Sequence, residues 1–255
     1  NRGRPPVKAL DLVTYSLNPQ VHAFDNSSLV ETLEAQASTI ESAHQFSAGL
    51  PLSISTITFK MRANPNATGP EPEPAPGELP HRVDVRQMSL LGAGWTAGSL
   101  KYVAESAVYS VTYHETTGWL GVMETEAGSP LPEKFYSLPG GVFPMYHVLA
   151  DVGEFAGGEV LPTTSSSTLK VDGLALHKDG KTRVHLANLS PEPQHVIVSN
   201  LSQRVRVRHL DETNAEEAMR APEDFRSQAG ELRETSSGAL KLSLLPYAVA
   251  RIDSV

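Results

Sequence analysis

Hydrophobic and polar residues in the first 155 positions follow two periods in turn, one typical of strands and one typical of helices. Residues 9–24, 52–62 and 108–113 are rich in β-branched and aromatic side chains or alternate in strand fashion. Residues 27–44 and 94–106 lie between them and repeat their apolar side chains at helical spacing. The order strand, helix, strand, helix, strand predicts parallel strands joined by right-handed crossovers.

The pattern changes after Gly157. Short strands follow one another, separated by turn signals such as Asp172-Gly173 and Asp179-Gly180, and residues 203–210 alternate strictly. This part predicts an antiparallel β-sandwich domain over residues 156–255.

Residues 1–155 are too short to close a parallel barrel, because a (β/α)8 barrel takes about 250 residues. They fit the last βα units of such a TIM barrel, so the predicted fold class is α/β plus all-β. A doubly wound open sheet is the alternative, but no glycine-rich phosphate loop follows any predicted strand. A barrel segment by itself would present an open sheet edge and an apolar face.

The composition and charge of the chain argue against several kinds of partner and exclude cysteine chemistry. Of the 255 residues, 40% are hydrophobic and 20% charged, and the formal net charge is −8. We therefore expect no nucleic acid and no membrane surface as partner, since both attract basic proteins, and we expect a cytoplasmic location. The chain has no cysteine, which excludes disulfides, thiolate zinc sites and a cysteine nucleophile.

Polar and aromatic side chains gather where the three predicted strands end, and in a barrel these ends form the active face. The candidate catalytic residues are Glu115, His22 and His114, and the candidate substrate-binding residues are Asn18, Gln20, Lys60, Arg62, Tyr113, Trp95 and Trp119. Structural readings compete with several of these: a solitary histidine such as His22 is more often a packed residue, and both tryptophans could belong to the core.

Adjacent strand residues point to opposite faces, so His114 and Glu115 cannot both face the barrel axis, and we favour Glu115 as the inward group. The chain lacks a G-x-S-x-G nucleophile turn and an H-E-x-x-H zinc motif, and we expect neither a metal nor another cofactor. A barrel glycosidase needs two carboxylates, whereas the second strand ends in Lys60 and Arg62.

Three stretches resemble the C-terminal portion of D-apionate lactonases: "SLNPQVHAFDNSSLVETLEAQ", "MSLLGAGWTAGSLKYVAESAVYSVTYHETTGWLGVME" and the closing "LLPYAVARI". The resemblance implies a glycoside-hydrolase-like (β/α)8 barrel with β domains, and hydrolysis of D-apionolactone, a small sugar lactone, to D-apionate. It also implies that an N-terminal part of the same protein is missing from this chain.

Lactone hydrolysis needs a base that activates water and donors that stabilise the oxyanion. Glu115 is the candidate base, Lys60 and Arg62 could hold the oxyanion or the product carboxylate, and Asn18, Gln20 and Tyr113 could bind hydroxyls. Two alternatives stay open, namely a glycoside hydrolase of similar barrel architecture and a non-catalytic carbohydrate-binding protein.

Overall fold

The computed structural model describes residues 6–64 and 66–255. Its first part contains β1 (Val13–Leu17), α1 (Asn26–Ser47), β2 (Leu52–Ile57), α2 (Leu90–Ala104) and β3 (Ser110–Tyr113). The strands form a parallel sheet in the order β1-β2-β3. This confirms the predicted alternation, although each strand is shorter than its hydrophobic pattern suggested.

Local signals explain where α1 begins and ends. The Asp25 carboxylate accepts a hydrogen bond from the Ser28 backbone N–H at 2.9 Å, which caps the first turn. Ala48 then adopts a left-handed conformation with φ of 52°, and Gly49 continues it with φ of 81°, so the helix stops where the sequence predicted.

The second helix begins earlier than predicted, at Leu90 rather than near Gly94. Ser89 is the N-cap, and its hydroxyl accepts from the Gly92 backbone N–H at 3.1 Å. The stretch Leu90–Gly94 contains two glycines, which weaken a helical pattern in sequence. Packing requires the glycine at position 92, because a Cβ there would lie 2.3 Å from the Arg86 carbonyl oxygen.

Helix α2 is buried on almost every side because it lies between α1 and the β domain. A Cβ at Gly98 would lie 2.8 Å from Leu33 of α1, and Gly94 faces Ala187 and Leu189 of the β domain. The largest hydrophobic core therefore spans both parts of the chain, and side chains such as Leu174 join it from the β domain.

A long ordered segment follows β3 and ends at α3 (Pro144–Gly153). The β domain then contains β4 (Glu159–Leu161), β5 (Val171–Lys178), β6 (Lys181–Asn188), β7 (Gln194–Val198), β8 (Arg204–Leu210), α4 (Ala215–Arg220), α5 (Pro222–Ser227), β9 (Glu231–Glu234), β10 (Leu240–Leu244) and β11 (Val249–Ser254). Six strands form an antiparallel sheet in the order β4-β5-β6-β11-β8-β9, and β10 pairs with β7. The prediction of an antiparallel β domain is confirmed.

The face of the parallel sheet that lies away from α1 and α2 is polar. Its exposed positions are Thr14, Ser16, Ser55, Ser110 and Thr112, and the hydroxyls of Ser53 and Ser110 are 2.8 Å apart. The expectation that this face is apolar is wrong, because hydroxyl side chains alternate with the buried aliphatic ones along each strand. In the described part of the chain, no helix is long and apolar enough to span a bilayer.

Candidate active site

The carboxyl ends of the three parallel strands lie side by side. The Thr58 N–H bonds the Leu17 carbonyl at 3.1 Å, and the His114 N–H bonds the Ile57 carbonyl at 3.2 Å. Beyond β1 and β2, Gln20 and Lys60 form a further parallel bridge. The candidate residues from all three strand ends therefore share one edge of the sheet, as a barrel requires.

Arg62 and Glu115 form an ion pair at this edge. The Arg62 Nη2 lies 3.2 Å from the Glu115 Oε1, and the two side chains are 38% and 46% exposed. The pair joins the chain after β2 to the residue that follows β3. Because both groups remain open to solvent, each can contact a bound molecule.

His114 lies on the other side of the chain from Glu115. It is 4% exposed, and its ring stacks on Phe59 with 5.5 Å between centroids. With a φ of 53°, its backbone adopts the left-handed conformation at the end of the strand. β-branched residues rarely adopt this conformation. Burial, together with the positive charge of Arg62, lowers the pKa of His114 to about 4, so the imidazole is neutral at pH 7.

Tyr113 points to the helices. Its hydroxyl lies 2.8 Å from the Ser99 hydroxyl of α2, and burial raises its pKa. The ring therefore ties β3 to α2, and this contact leaves Glu115 as the accessible polar group of the third strand end.

Gln20 belongs to a buried network that the sequence did not indicate. Its amide nitrogen donates to the Phe59 carbonyl at 2.9 Å and to the Asp84 carboxylate at 2.7 Å, and its oxygen accepts from Arg86 at 2.5 Å. Arg86 also binds both carboxylate oxygens of Asp84, at 2.9 and 2.7 Å. Gln20 therefore anchors a loop rather than presenting a free amide, which corrects its assignment to substrate binding.

Asp84 and Arg86 were missed because they lie far along the chain, after the proline-rich loop. Although burial opposes ionisation of Asp84, the hydrogen bonds from Arg86 and Gln20 outweigh it and lower the pKa of this carboxyl. The only local signal was the N-cap role of Asp84, which accepts from the Arg86 N–H at the start of a short 3-10 helix.

Three other candidates remain near solvent. Lys60 is half-buried and donates to the Val83 carbonyl at 2.9 Å. His22 is exposed in the segment that follows β1. Asn18 is half-buried, and its Oδ1 is buried without a hydrogen-bond partner among the described residues.

The two tryptophans have different positions. Trp95 is wholly buried in α2, and its indole N–H donates to the Leu29 carbonyl at 3.0 Å. Its assignment to substrate binding is wrong, because packing against Phe59 at 4.8 Å places it in the core. Trp119 is half-buried in the segment after β3, where its N–H donates to the Ser129 hydroxyl at 2.9 Å.

Within residues 6–64 and 66–255, no three histidine, aspartate or glutamate side chains are grouped as metal ligands would be. At the strand ends, the carboxylate of Glu115 pairs with Arg62, and Lys60 and the neutral imidazole of His114 lie at the same edge of the sheet.

The solved structures that this chain resembles include a glucanase-xylanase and a glucuronidase. CelM2, a bifunctional glucanase-xylanase from a metagenome library, is 11% identical with a TM-score of 0.61, and the match covers 96% of this chain and 43% of CelM2. A rhamnosyl-glucuronidase from Fusarium oxysporum is 15% identical with a TM-score of 0.57, covering 94% of this chain and 52% of that enzyme. At these identities the similarity establishes the fold alone.

Sequence comparison is more specific. A D-apionate lactonase from Brucella anthropi is 26% identical over 203 residues, which are 79% of this chain and 32% of that protein. The chain thus spans about a third of this relative's length. The family model for the D-apionate lactonase TIM barrel domain matches residues 1–157, and that for the family's C-terminal immunoglobulin-like domain matches residues 168–252. The chain belongs to the D-apionate lactonase family.

Proposed function

We propose that the protein containing this chain hydrolyses a sugar-acid lactone, D-apionolactone, to D-apionate, and that the ends of β1, β2 and β3 form one wall of its active site. The Arg62–Glu115 pair carries this proposal. It combines a carboxylate that can accept a proton with a guanidinium that can bind an anionic oxygen, and both side chains are partly exposed.

In this mechanism Glu115 accepts a proton from water while the water oxygen attacks the lactone carbonyl. The carbonyl oxygen becomes an oxyanion, which Arg62 and Lys60 stabilise. The tetrahedral intermediate then collapses, the ring C–O bond breaks, and the leaving alkoxide receives the proton. The product is an open-chain hydroxy acid whose carboxylate also suits Arg62.

Other strand-end groups have supporting roles. Asn18, half-buried just beyond the end of β1, is the candidate for binding a substrate hydroxyl. His22 is exposed nearby and is a second candidate for proton transfer. His114 is neutral and buried, and its Nε2 has no hydrogen-bond partner in the described part of the chain. In this proposal its role is to support the backbone turn that presents Glu115.

The charge of the second strand end favours a lactone over a glycoside. A glycosidase places two carboxylates about 5–9.5 Å apart, whereas this strand end presents Lys60 and Arg62. Cations suit a reaction whose intermediate and product are anions, and they oppose an oxocarbenium-like transition state.

The test is an assay of the full-length protein with D-apionolactone and with aryl glycosides of common pentoses and hexoses. We expect lactone opening, followed as acid release, and no release of the aryl alcohol. Cleavage of an aryl glycoside without lactone opening would establish a glycoside hydrolase instead. Binding of sugars without turnover of either substrate would establish a carbohydrate-binding protein.

The proposal places the reaction in the cytoplasm, which cell fractionation checks.

A further inference from the structure

A second polar cluster lies where α3 meets the β domain. Its centre is Asp151 of α3, which is 3% exposed. Four arginines surround this carboxylate: Arg183, Arg208, Arg226 and Arg251 lie at 4.0, 3.0, 2.7 and 2.9 Å. Because the arginines come from β6, β8, α5 and β11, one carboxylate joins the barrel segment to four elements of the β domain.

A small cavity of about 20 Å³ adjoins this cluster. Its polar lining comes from Asp151, Arg208, Arg251, His147 and His185, and Phe225 is among its apolar neighbours. A site of this size holds one water-sized molecule, which needs two or more polar partners to be stable there.

The hydrogen bonding of His147 defines what kind of molecule fits. Its Nε2 lies 3.0 Å from the Ala218 carbonyl oxygen. A carbonyl only accepts, so Nε2 carries the proton, and Nδ1 of the neutral ring is a bare lone pair. This Nδ1 is buried without a hydrogen-bond partner in the described part of the chain, and it can be satisfied only by a molecule that donates.

His185 adds the complementary requirement. It is 1% exposed, and neither ring nitrogen has a hydrogen-bond partner among residues 6–64 and 66–255. One nitrogen of a neutral imidazole donates and the other accepts. A molecule that contacts both rings can therefore accept a hydrogen bond from an N–H of His185 and donate a hydrogen bond to His147.

Charge and size exclude the other small ligands. The guanidinium groups of Arg208 and Arg251 line the cavity together with a single carboxylate, Asp151, which disfavours a metal or ammonium cation. A halide cannot donate to the bare nitrogen of His147, and the Asp151 carboxylate in the lining repels it. The space holds about one water-sized probe, and an alcohol needs room for at least one further heavy atom.

We propose that this cavity is a specific site for one ordered water molecule, which accepts from one ring nitrogen of His185, donates to Nδ1 of His147 and so links the barrel segment to the β domain. The water bridges α3 of the barrel segment to β6 of the β domain. Burial keeps both rings neutral, which preserves the lone pair that the water binds. This inference is independent of the proposed lactonase reaction.

The first test is a crystal structure of the protein at a resolution that defines ordered water. We expect one peak within about 2.7–3.2 Å of His147 Nδ1 and of one ring nitrogen of His185. A cavity without density, a collapsed cavity, or a peak with the anomalous signal of bromide after exchange of chloride for bromide would each overturn the proposal.

The second test uses His147→Phe, which keeps an aromatic ring against Tyr146 and Phe225 but removes the bare nitrogen. The control is His195→Phe, at an exposed position of β7. Magnetic relaxation dispersion of water oxygen-17 counts long-lived internal waters. We expect His147→Phe to lose one such water and His195→Phe to lose none. An unchanged count in a folded His147→Phe protein contradicts the proposal.

Discussion

At the scale of single residues, Asp151 is a buried carboxylate with four arginine neighbours. Burial opposes its ionisation, but Arg251, His185, Arg208 and Arg226 outweigh this and hold the pKa of the carboxyl below its usual value. Arg208 is buried, and Asp151 is its one ion-pair partner among the described residues. Arg183, Arg226 and Arg251 also pair with Glu154 or Asp253, so removing the charge of Asp151 leaves chiefly the Arg208 guanidinium without compensation.

Asp151→Asn is therefore expected to lower the free energy of unfolding by about 3–5 kcal/mol, the range for breaking a buried ion pair by deleting one partner. Denaturant unfolding followed by circular dichroism measures this change. The matched control is Glu216→Gln, because Glu216 pairs with Arg220 on the surface, where the side chains are 72% and 57% exposed. The control should change stability by less than about 1 kcal/mol; equal effects would refute the central role of Asp151.

At the scale of elements, α2 depends on glycine for close packing. Gly92 and Gly94 lie two residues apart on the same helix but meet different surroundings. A Cβ at Gly92 would lie 2.3 Å from a backbone oxygen, whereas one at Gly94 would meet Leu189 at 3.4 Å, an ordinary contact. Replacing Gly92 with alanine therefore tests the cost of a steric clash, and replacing Gly94 with alanine tests the gain in helix propensity.

We expect Gly92→Ala to destabilise the protein by about 1–3 kcal/mol through overpacking. Gly94→Ala should be neutral or stabilising by up to about 1 kcal/mol, since alanine favours helix over glycine. Thermal unfolding of both variants checks the pair. A Gly94→Ala protein less stable than Gly92→Ala would contradict the packing described for α2.

Most elements could be predicted because their signals are local. The apolar period of α1, its Asp25 cap and the left-handed exit at Ala48 lie within one stretch of sequence. The start of α2 was missed because tertiary contacts, rather than propensity, select its glycines. The strand ends located Arg62 and Glu115. The sequence left open whether Trp95 lies in the site or in the core, and it did not indicate the Gln20–Asp84 contact. Both depend on contacts between residues distant in sequence.

At the scale of the whole molecule, the buried histidines link stability to pH. Burial lowers the pKa values of His147 and His185 from 6.5 to about 4. Between these values the unfolded chain binds protons that the folded chain excludes. Their contribution to stability is therefore fully present above pH 6.5 and declines as the pH falls toward 4.

Each histidine is expected to account for on the order of 1–2 kcal/mol of stability lost between pH 7 and pH 5. Denaturant unfolding at a series of pH values measures the loss, and His185→Leu should flatten the curve over this range. A wild-type stability that is constant or rises on acidification through this range would contradict neutral, buried rings at the junction of the two parts.

The central claim is that Glu115 is the base for lactone opening, and kcat for D-apionolactone in the full-length protein tests it most directly. Glu115→Gln keeps the size of the side chain but removes proton acceptance, so we expect kcat to fall by about 100-fold or more. Glu133→Gln, at an exposed position of the same segment, should retain wild-type kcat. Full activity in a folded Glu115→Gln protein would contradict the account.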